Sequence, residues 1–370
     1  MEAKVRILIT GGGTGGHVFP GIAIAQELLK RPEVEVLYVG KNNGPESKWV
    51  KEKGLSFEGI QASGFPRGLT LRLFTFWLDL MKGFRQAGEL LKKFEPRVVF
   101  STGGYVSVPV SVVAAWKGIP VFLFEPNVRP GLAARVLALV STKVFTGFEK
   151  TAQTFARAKS VWVGIPVRVE ILDAVKEKAL GEWGLDRNKT TILLLGGSQG
   201  AHALNQYMAG AIQFLAEGDQ AVQFLMMTGL ADYQKVADQM EKCPLKVILR
   251  PFFTNIQDAY AAADLVVARA GAITCAELLS RGLPSILIPY PHASGHQEAN
   301  ARALENAGAA VVILEKELED GTLSEKLAGL LNEPETIKSM GLKAKTAFKE
   351  RASAVIAEDL FQSAQIRKIA

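Results

Sequence analysis

The sequence predicts an α/β protein made of two doubly wound, parallel-sheet domains. Three observations predict it: short apolar runs alternate with helix-length amphipathic stretches, the runs fall into two series along the chain, and glycine-rich junctions follow predicted strands at four places. A length of 370 residues sets a prior of two domains, and 48% hydrophobic with 22% charged residues is ordinary for a globular enzyme with sizeable cores.

The first series opens with VRILIT from Val5, which runs straight into Gly11-Gly-Gly-Thr-Gly-Gly-His17 and then Pro20. A strand, a backbone-lined anion site and a helix start are predicted in that order, because so short a loop leaves the binding to backbone N–H groups. Further strands are predicted at Val36 to Val39, Val98 to Phe100 and Val121 to Phe124. The second series comprises Thr191 to Leu195, Phe224 to Met227, Val247 to Leu249, Leu265 to Ala268 and Ser285 to Ile288. Between them, Val163-Gly-Ile-Pro-Val-Arg168 and a polar helix from about Asp173 mark a hinge near Ile165. The expected domains are therefore 1–165 and 166–345, with an amphipathic helical segment over 346–370 that packs back on the first.

The four junctions are Gly11 to Gly16, Gly103-Gly104, Gly196 to Gly200 and Ala270 to Ala272. Any one glycine turn is plain loop geometry; four of them after strands point to a cleft lined with helix N-termini, a place for phosphates. Gly11, Gly13 and Gly16 also satisfy GxGxxG, yet the acid that would hold a dinucleotide ribose is missing after Val39, where Gly40 and Lys41 stand. Glu33 and Glu35 come too early in that strand to serve.

His17 falls on the first helical turn, where the macrodipole disfavours imidazolium. A neutral ring there is either a proton acceptor or only a hydrogen-bonding group for a carbonyl or phosphate, and both readings stand. Downstream, the helix start at Ala272, Ile273 and Thr274 suits a diphosphate, and Glu277, one turn inside and leaning back, can accept from both ribose hydroxyls. The plainer reading of Glu277 is an acid favoured by the dipole; the polar loop Pro289 to Asn300, with Gln297, tips the balance to a nucleoside-sugar pocket. The stretch 69–94 mixes Phe74, Phe76, Trp77, Met81 and Phe84 with Arg72, Lys82, Arg85, Lys92 and Lys93. It reads either as an interfacial segment on an anionic membrane surface or as a helix burying its apolar face in its own domain.

Several classes are excluded on composition. Cys243 and Cys275 have no CxxC or metal-like spacing, so a reducing, cytoplasmic setting is expected. The early first strand leaves no space for a signal peptide, and no apolar run reaches the ~18 residues of a spanning helix. A net charge of +6 suits anionic metabolites or lipid and is too small and scattered to indicate nucleic acid. With no DxD, HExxH or GKS/T, neither a metal nor another cofactor is expected.

Taken together, Gly11 to His17 with Pro20, Gly103-Gly-Tyr-Val-Ser107 with Pro109, Glu125-Pro-Asn127, Gly164-Ile-Pro-Val-Arg168, Gly196-Gly-Ser-Gln-Gly200, and Gly271 to Glu277 with Gln297 resemble glycosyltransferase family 28 over essentially the whole chain. The resemblance implies a two-domain GT-B fold, UDP-GlcNAc as donor and a lipid-linked MurNAc-peptide, carried on undecaprenyl diphosphate, as acceptor. It further implies an inverting, metal-independent transfer in peptidoglycan synthesis, by a peripheral protein at the cytoplasmic face of the bacterial membrane. Carried over by motif, the donor residues are Thr14, Gly15, Gly16, Asn127, Arg168, Ser198, Phe253 near the uracil, Ala272, Ile273, Thr274, Glu277 and Gln297. The acceptor residues are Gly13, Thr14, His17, Gly103, Gly104 and Tyr105, with His17 the leading base and Glu125 a second. The chain departs from the family pattern at Pro126, Ala270 and His296. A related GT-B lipid glycosyltransferase, a UDP-sugar epimerase and a non-catalytic nucleotide-sugar sensor remain as alternatives.

Overall fold

Runs such as Val5–Thr10 and Thr190–Leu195 carry apolar residues on both faces, so they fold as strands covered on both sides. The computed structural model describes residues 4–64, 72–155, 159–197, 200–293, 295–319 and 321–366, with the backbone alone over 72–75. Two compact units emerge: Met1–Arg168 joined by Lys349–Ala370, and Val169–Phe348.

In the first unit β1 (Val5–Thr10), β2 (Val34–Lys41), β3 (Ser56–Ile60), β4 (Val98–Ser101), β5 (Val121–Glu125), β6 (Lys143–Thr146) and β7 (Ser160–Trp162) form one sheet. Its order is β3-β2-β1-β4-β5-β6-β7, and every pair is parallel. The crossovers carry α1 (Gly15–Leu28), α2 (Glu46–Glu52), α3 (Arg72–Phe94), α4 (Ser107–Trp116), α5 (Leu132–Ala138) and α6 (Glu149–Ala152). The second unit begins with α7 (Val169–Leu172) and α8 (Lys176–Trp183). Its strands are β8 (Thr190–Leu195), β9 (Val222–Met227), β10 (Lys246–Arg250), β11 (Leu265–Ala268), β12 (Ser285–Leu287) and β13 (Ala310–Val312). They are ordered β10-β9-β8-β11-β12-β13, again all parallel. Its remaining helices are α9 (His202–Ala216), α10 (Tyr233–Met240), α11 (Ile256–Ala262), α12 (Ala272–Arg281), α13 (His296–Asn306), α14 (Thr322–Leu331) and α15 (Pro334–Ala347).

The last element, α16 (Ala352–Ile366), returns to the first unit, where Ile356, Ala357, Leu360 and Ala364 are fully buried against α1, β1 and β4. Arg31 bonds Glu358 at 2.6 Å, and Lys143 pairs with Asp359. Within the helical segment expected over 346–370 the described helix is α16 and starts later, since α15 ends at Ala347 and Arg351, at φ +64, breaks the run. Similarly, the polar helix expected from Asp173 starts at Lys176, after the short α7.

Strand order reverses between β1 and β4 in the first sheet and between β8 and β11 in the second. At such a switch point adjacent crossovers leave on opposite faces and open a crevice beyond the strand ends. The loops from Gly11 and from Thr102 therefore lie side by side, as do those from Gly196 and from Arg269.

Candidate active site

At the first switch point, α1 begins with N-cap Thr14, whose side chain makes no cap hydrogen bond. His17 is then the third helical residue, with its backbone N–H on the Thr14 carbonyl at 3.1 Å. The imidazole Nδ1 lies 2.7 Å from the Thr102 carbonyl oxygen. A carbonyl only accepts, so Nδ1 carries a proton, and in the neutral ring the lone pair is then on Nε2. The same threonine's Oγ1 donates to the His17 carbonyl at 2.6 Å, fastening helix and loop together. Gly103 and Gly104, at φ +86 and +79, pack on the ring: a Cβ on either would come within 3.3 or 3.4 Å of it. Tyr105 covers Gly13, itself at φ +89. Pro20 stands inside α1 and has no N–H for the Gly16 carbonyl.

Arg168 reaches this helix through Phe19, its guanidinium 4.4 Å from the ring centroid, and the Phe19 ring lies directly against Gly15. Glu125, 3% exposed, ends β5 and accepts from the Asn127 N–H and Nδ2, both at 2.9 Å, and from the Gly131 N–H at 3.2 Å. Its two oxygens thus hold the 125–131 turn. Thr14, Gly15, Gly16, Asn127 and Arg168 all belong to the first unit.

In the second unit, Gly271 caps α12 in an extended conformation and leaves Ala272, Ile273 and Thr274 at the helix start, where N–H groups lack intrahelical partners. Glu277, 5% exposed, accepts from the Tyr260 hydroxyl at 2.9 Å. Gln297 takes the Tyr290 N–H at 2.9 Å, and Asn300 donates to the Ala270 carbonyl at 3.2 Å. Phe253 is 2% exposed, its ring edge-on to Trp183 at 5.2 Å, while Phe252 beside it is 51% exposed. Ser198 lies outside the described residues.

Sequence reasoning missed three groups at these places. Thr102 orients His17, Tyr260 holds Glu277, and Arg269, 8% exposed, donates to the Ile288 and Pro289 carbonyls and pairs with Glu315 at 2.5 Å. Arg269 was detectable as a charge directly after an apolar strand; the other two look like ordinary core or loop residues. Among the described residues, no three His, Cys, Asp or Glu side chains gather as metal ligands.

Residues 7–146 match the glycosyltransferase family 28 N-terminal domain, and residues 191–356 match the C-terminal domain of the same family. The chain belongs to glycosyltransferase family 28. Family 28 relatives include a protein of Halothermothrix orenii, 41% identical, covering 92% of this chain and 94% of the relative. Another, from Thermodesulfovibrio yellowstonii, is 38% identical over 96% and 97%. Both are named UDP-N-acetylglucosamine--N-acetylmuramyl-(pentapeptide) pyrophosphoryl-undecaprenol N-acetylglucosamine transferase. Among solved structures, Acinetobacter baumannii MurG aligns with a TM-score of 0.77 at 24% identity, covering 97% and 99% of the two chains. The UDP-GlcNAc 2-epimerase of Neisseria meningitidis aligns at 0.70 and 15%, covering 96% and 100%. At those identities both speak for the fold, which is the two-sheet GT-B architecture.

Proposed function

We propose that this family 28 enzyme moves GlcNAc from UDP-GlcNAc to the C4 hydroxyl of a MurNAc-peptide carried on undecaprenyl diphosphate, the lipid I to lipid II step. The names of relatives about 40% identical over nearly the whole chain support the substrates. The observation that carries the chemistry is the hydrogen bond of the His17 Nδ1 to the Thr102 carbonyl, which leaves Nε2 of the neutral tautomer as the atom that takes a proton. The acceptor oxygen bonds to C1 of GlcNAc as its proton passes to Nε2, and the C1–O bond to UDP breaks with the electron pair leaving on the diphosphate. Attack opposite the leaving group inverts the anomeric carbon.

The second unit's part is to hold UDP. N–H groups at Ala272, Ile273 and Thr274 stabilise the growing negative charge and Glu277 takes the ribose, and the family pattern assigns Ser198 and Arg168 to the donor as well. Gln297 serves the sugar. Phe253, its ring in the core, serves the uracil through its backbone. Gly13, Thr14, Gly103, Gly104 and Tyr105 form the acceptor side, and Glu125 shapes the turn that carries Asn127 rather than acting as a base. The first unit is then the acceptor and membrane side and the second the donor side. Trp77, Leu78, Met81 and Trp116 are exposed at 54%, 42%, 69% and 77%, beside exposed Lys82 and Arg85, which supports peripheral attachment to an anionic membrane at its cytoplasmic face. No described helix is long and apolar enough to cross a membrane.

UDP release from UDP-GlcNAc, measured with and without the lipid-linked MurNAc-peptide, tests this reading. Release only with acceptor is expected. Conversion of UDP-GlcNAc without acceptor would mean an epimerase, and no release with acceptor a sensor; either outcome refutes transfer. Preference for diacylglycerol would mean a related lipid glycosyltransferase and would refute the acceptor.

A further inference from the structure

Beneath the Gly11 to His17 loop lies a carboxylate that the reaction above does not use. Glu46, the first residue of α2, is fully buried. Its Oε1 accepts from the Lys41 N–H at 2.8 Å, and its Oε2 lies 3.5 Å from the Gly13 N. Three glycines make room for it: a Cβ on Gly12 would stand 2.2 Å from Oε1, one on Gly40 2.6 Å from Cγ, and one on Gly44 2.5 Å from Oε2. Burying a carboxylate is costly unless main-chain N–H groups and a helix start compensate it, and both are supplied here.

The peptide between Gly12 and Gly13 is the link to the site. Its N–H points down to Glu46, while its carbonyl oxygen packs against Gly104, where an added Cβ would meet it at 2.7 Å. Gly104 in turn packs on the His17 ring at Cδ2. We infer that Glu46 is a positioning residue for His17: by holding the Gly12–Gly13 peptide from below, it sets the entry of α1 and the plane against which the imidazole rests. Both partners of Glu46 are donors. Glutamine offers one acceptor oxygen, so Glu46→Gln loses one of the two bonds in either amide orientation and faces an N–H with an NH2. A misplaced base then lowers turnover, and the donor ligands of the other unit are untouched.

This inference rests on His17 as proton acceptor, so His17→Ala is measured alongside. The experiment compares turnover, UDP-GlcNAc affinity and the imidazole 15N spectrum of His17 in the full-length wild type and Glu46→Gln. The expected result is turnover down about tenfold or more, donor affinity within about twofold, and a His17 ring that is no longer purely in the Nδ1–H form. A folded Glu46→Gln with wild-type turnover and an unchanged ring spectrum overturns the inference. So does a parallel loss of melting temperature, turnover and donor affinity with the ring unchanged, since that is a merely structural role. If His17→Ala keeps full turnover, the base reading fails, and the ring spectrum still decides whether Glu46 positions the imidazole. Should Glu46→Gln not fold, Gly44→Ala presses on Oε2 from outside the loop; it is expected to give the same split, and wild-type turnover there overturns the inference.

Discussion

At the residue scale, the site depends on which atom each polar group is bonded to. His17 has its tautomer set by the Thr102 carbonyl. His17→Ala is therefore expected to lower turnover by about 10²- to 10⁴-fold, the range for a lost general base, with UDP-GlcNAc affinity nearly unchanged in a binding titration. Glu277 is the converse case. Losing hydrogen bonds to a charged group costs about 1.5–3 kcal/mol, so Glu277→Ala should weaken UDP-GlcNAc binding by roughly 10- to 150-fold, more than any other single change. Cys275 is fully buried, and burial pushes its thiol up to about 12. At pH 8 it stays protonated and covered, so a thiol reagent should label the half-buried Cys243 in the native protein and reach Cys275 only when the second unit unfolds. Glycines, His17, Glu277 and Gln297 were legible as candidates because each follows a predicted strand. Thr102 and Tyr260 were not, since a threonine or tyrosine in an apolar setting carries no local mark of its partner.

At the scale of elements, the loop after β4 is built from left-handed glycines that bring backbone up to the imidazole. Gly104→Ala brings a Cβ 2.7 Å from the Gly12 oxygen as well as the strain of φ +79. Gly54 is a control: its φ is +71, but a Cβ there meets nothing within 4 Å. Both alanine variants should lose about 1–2 kcal/mol from the backbone conformation, read as a lowered melting temperature, and only Gly104→Ala should also lose turnover. For α3, the two sequence readings divide along the helix. Ala87 and Leu91 are buried against the sheet, while Trp77, Leu78 and Met81 remain exposed. Replacing Trp77 and Met81 with Glu should reduce binding to anionic vesicles in a flotation assay severalfold without lowering turnover on detergent-dispersed acceptor. Long central strands were readable because both faces are covered. The strands β3, β6 and β7 were not, because none of them holds more than two consecutive apolar residues, and β13, Ala310-Val-Val312 at a sheet edge, was missed as well.

At the scale of the whole molecule, each unit is a complete doubly wound sheet with its own core, and the last helix completes the first. Charge enters stability in the second unit at Asp258, whose carboxyl is raised above its usual range by burial and then by the charge and hydrogen bond of Glu182, with Lys178 opposing. A carboxyl raised in the folded state contributes stability below its ordinary value and loses it as pH rises through the folded value. Asp258→Asn should therefore raise the melting temperature at pH 7 by about 1–2 °C, and the gain should vanish toward pH 4. The sequence by itself determined the two sheets, the strands at their centres, the glycine junctions and the family, because apolar runs and glycines report local burial and backbone geometry. Only the tertiary structure decided that the Nδ1 of His17 is taken by a carbonyl 85 residues away, that the oxygens of Glu125 are spent on their own turn, that the ring of Phe253 belongs to the core, and that Glu46 lies beneath the loop. Those facts follow from which strands become neighbours, and the pairing of β1 with both β2 and β4 is written in no local pattern.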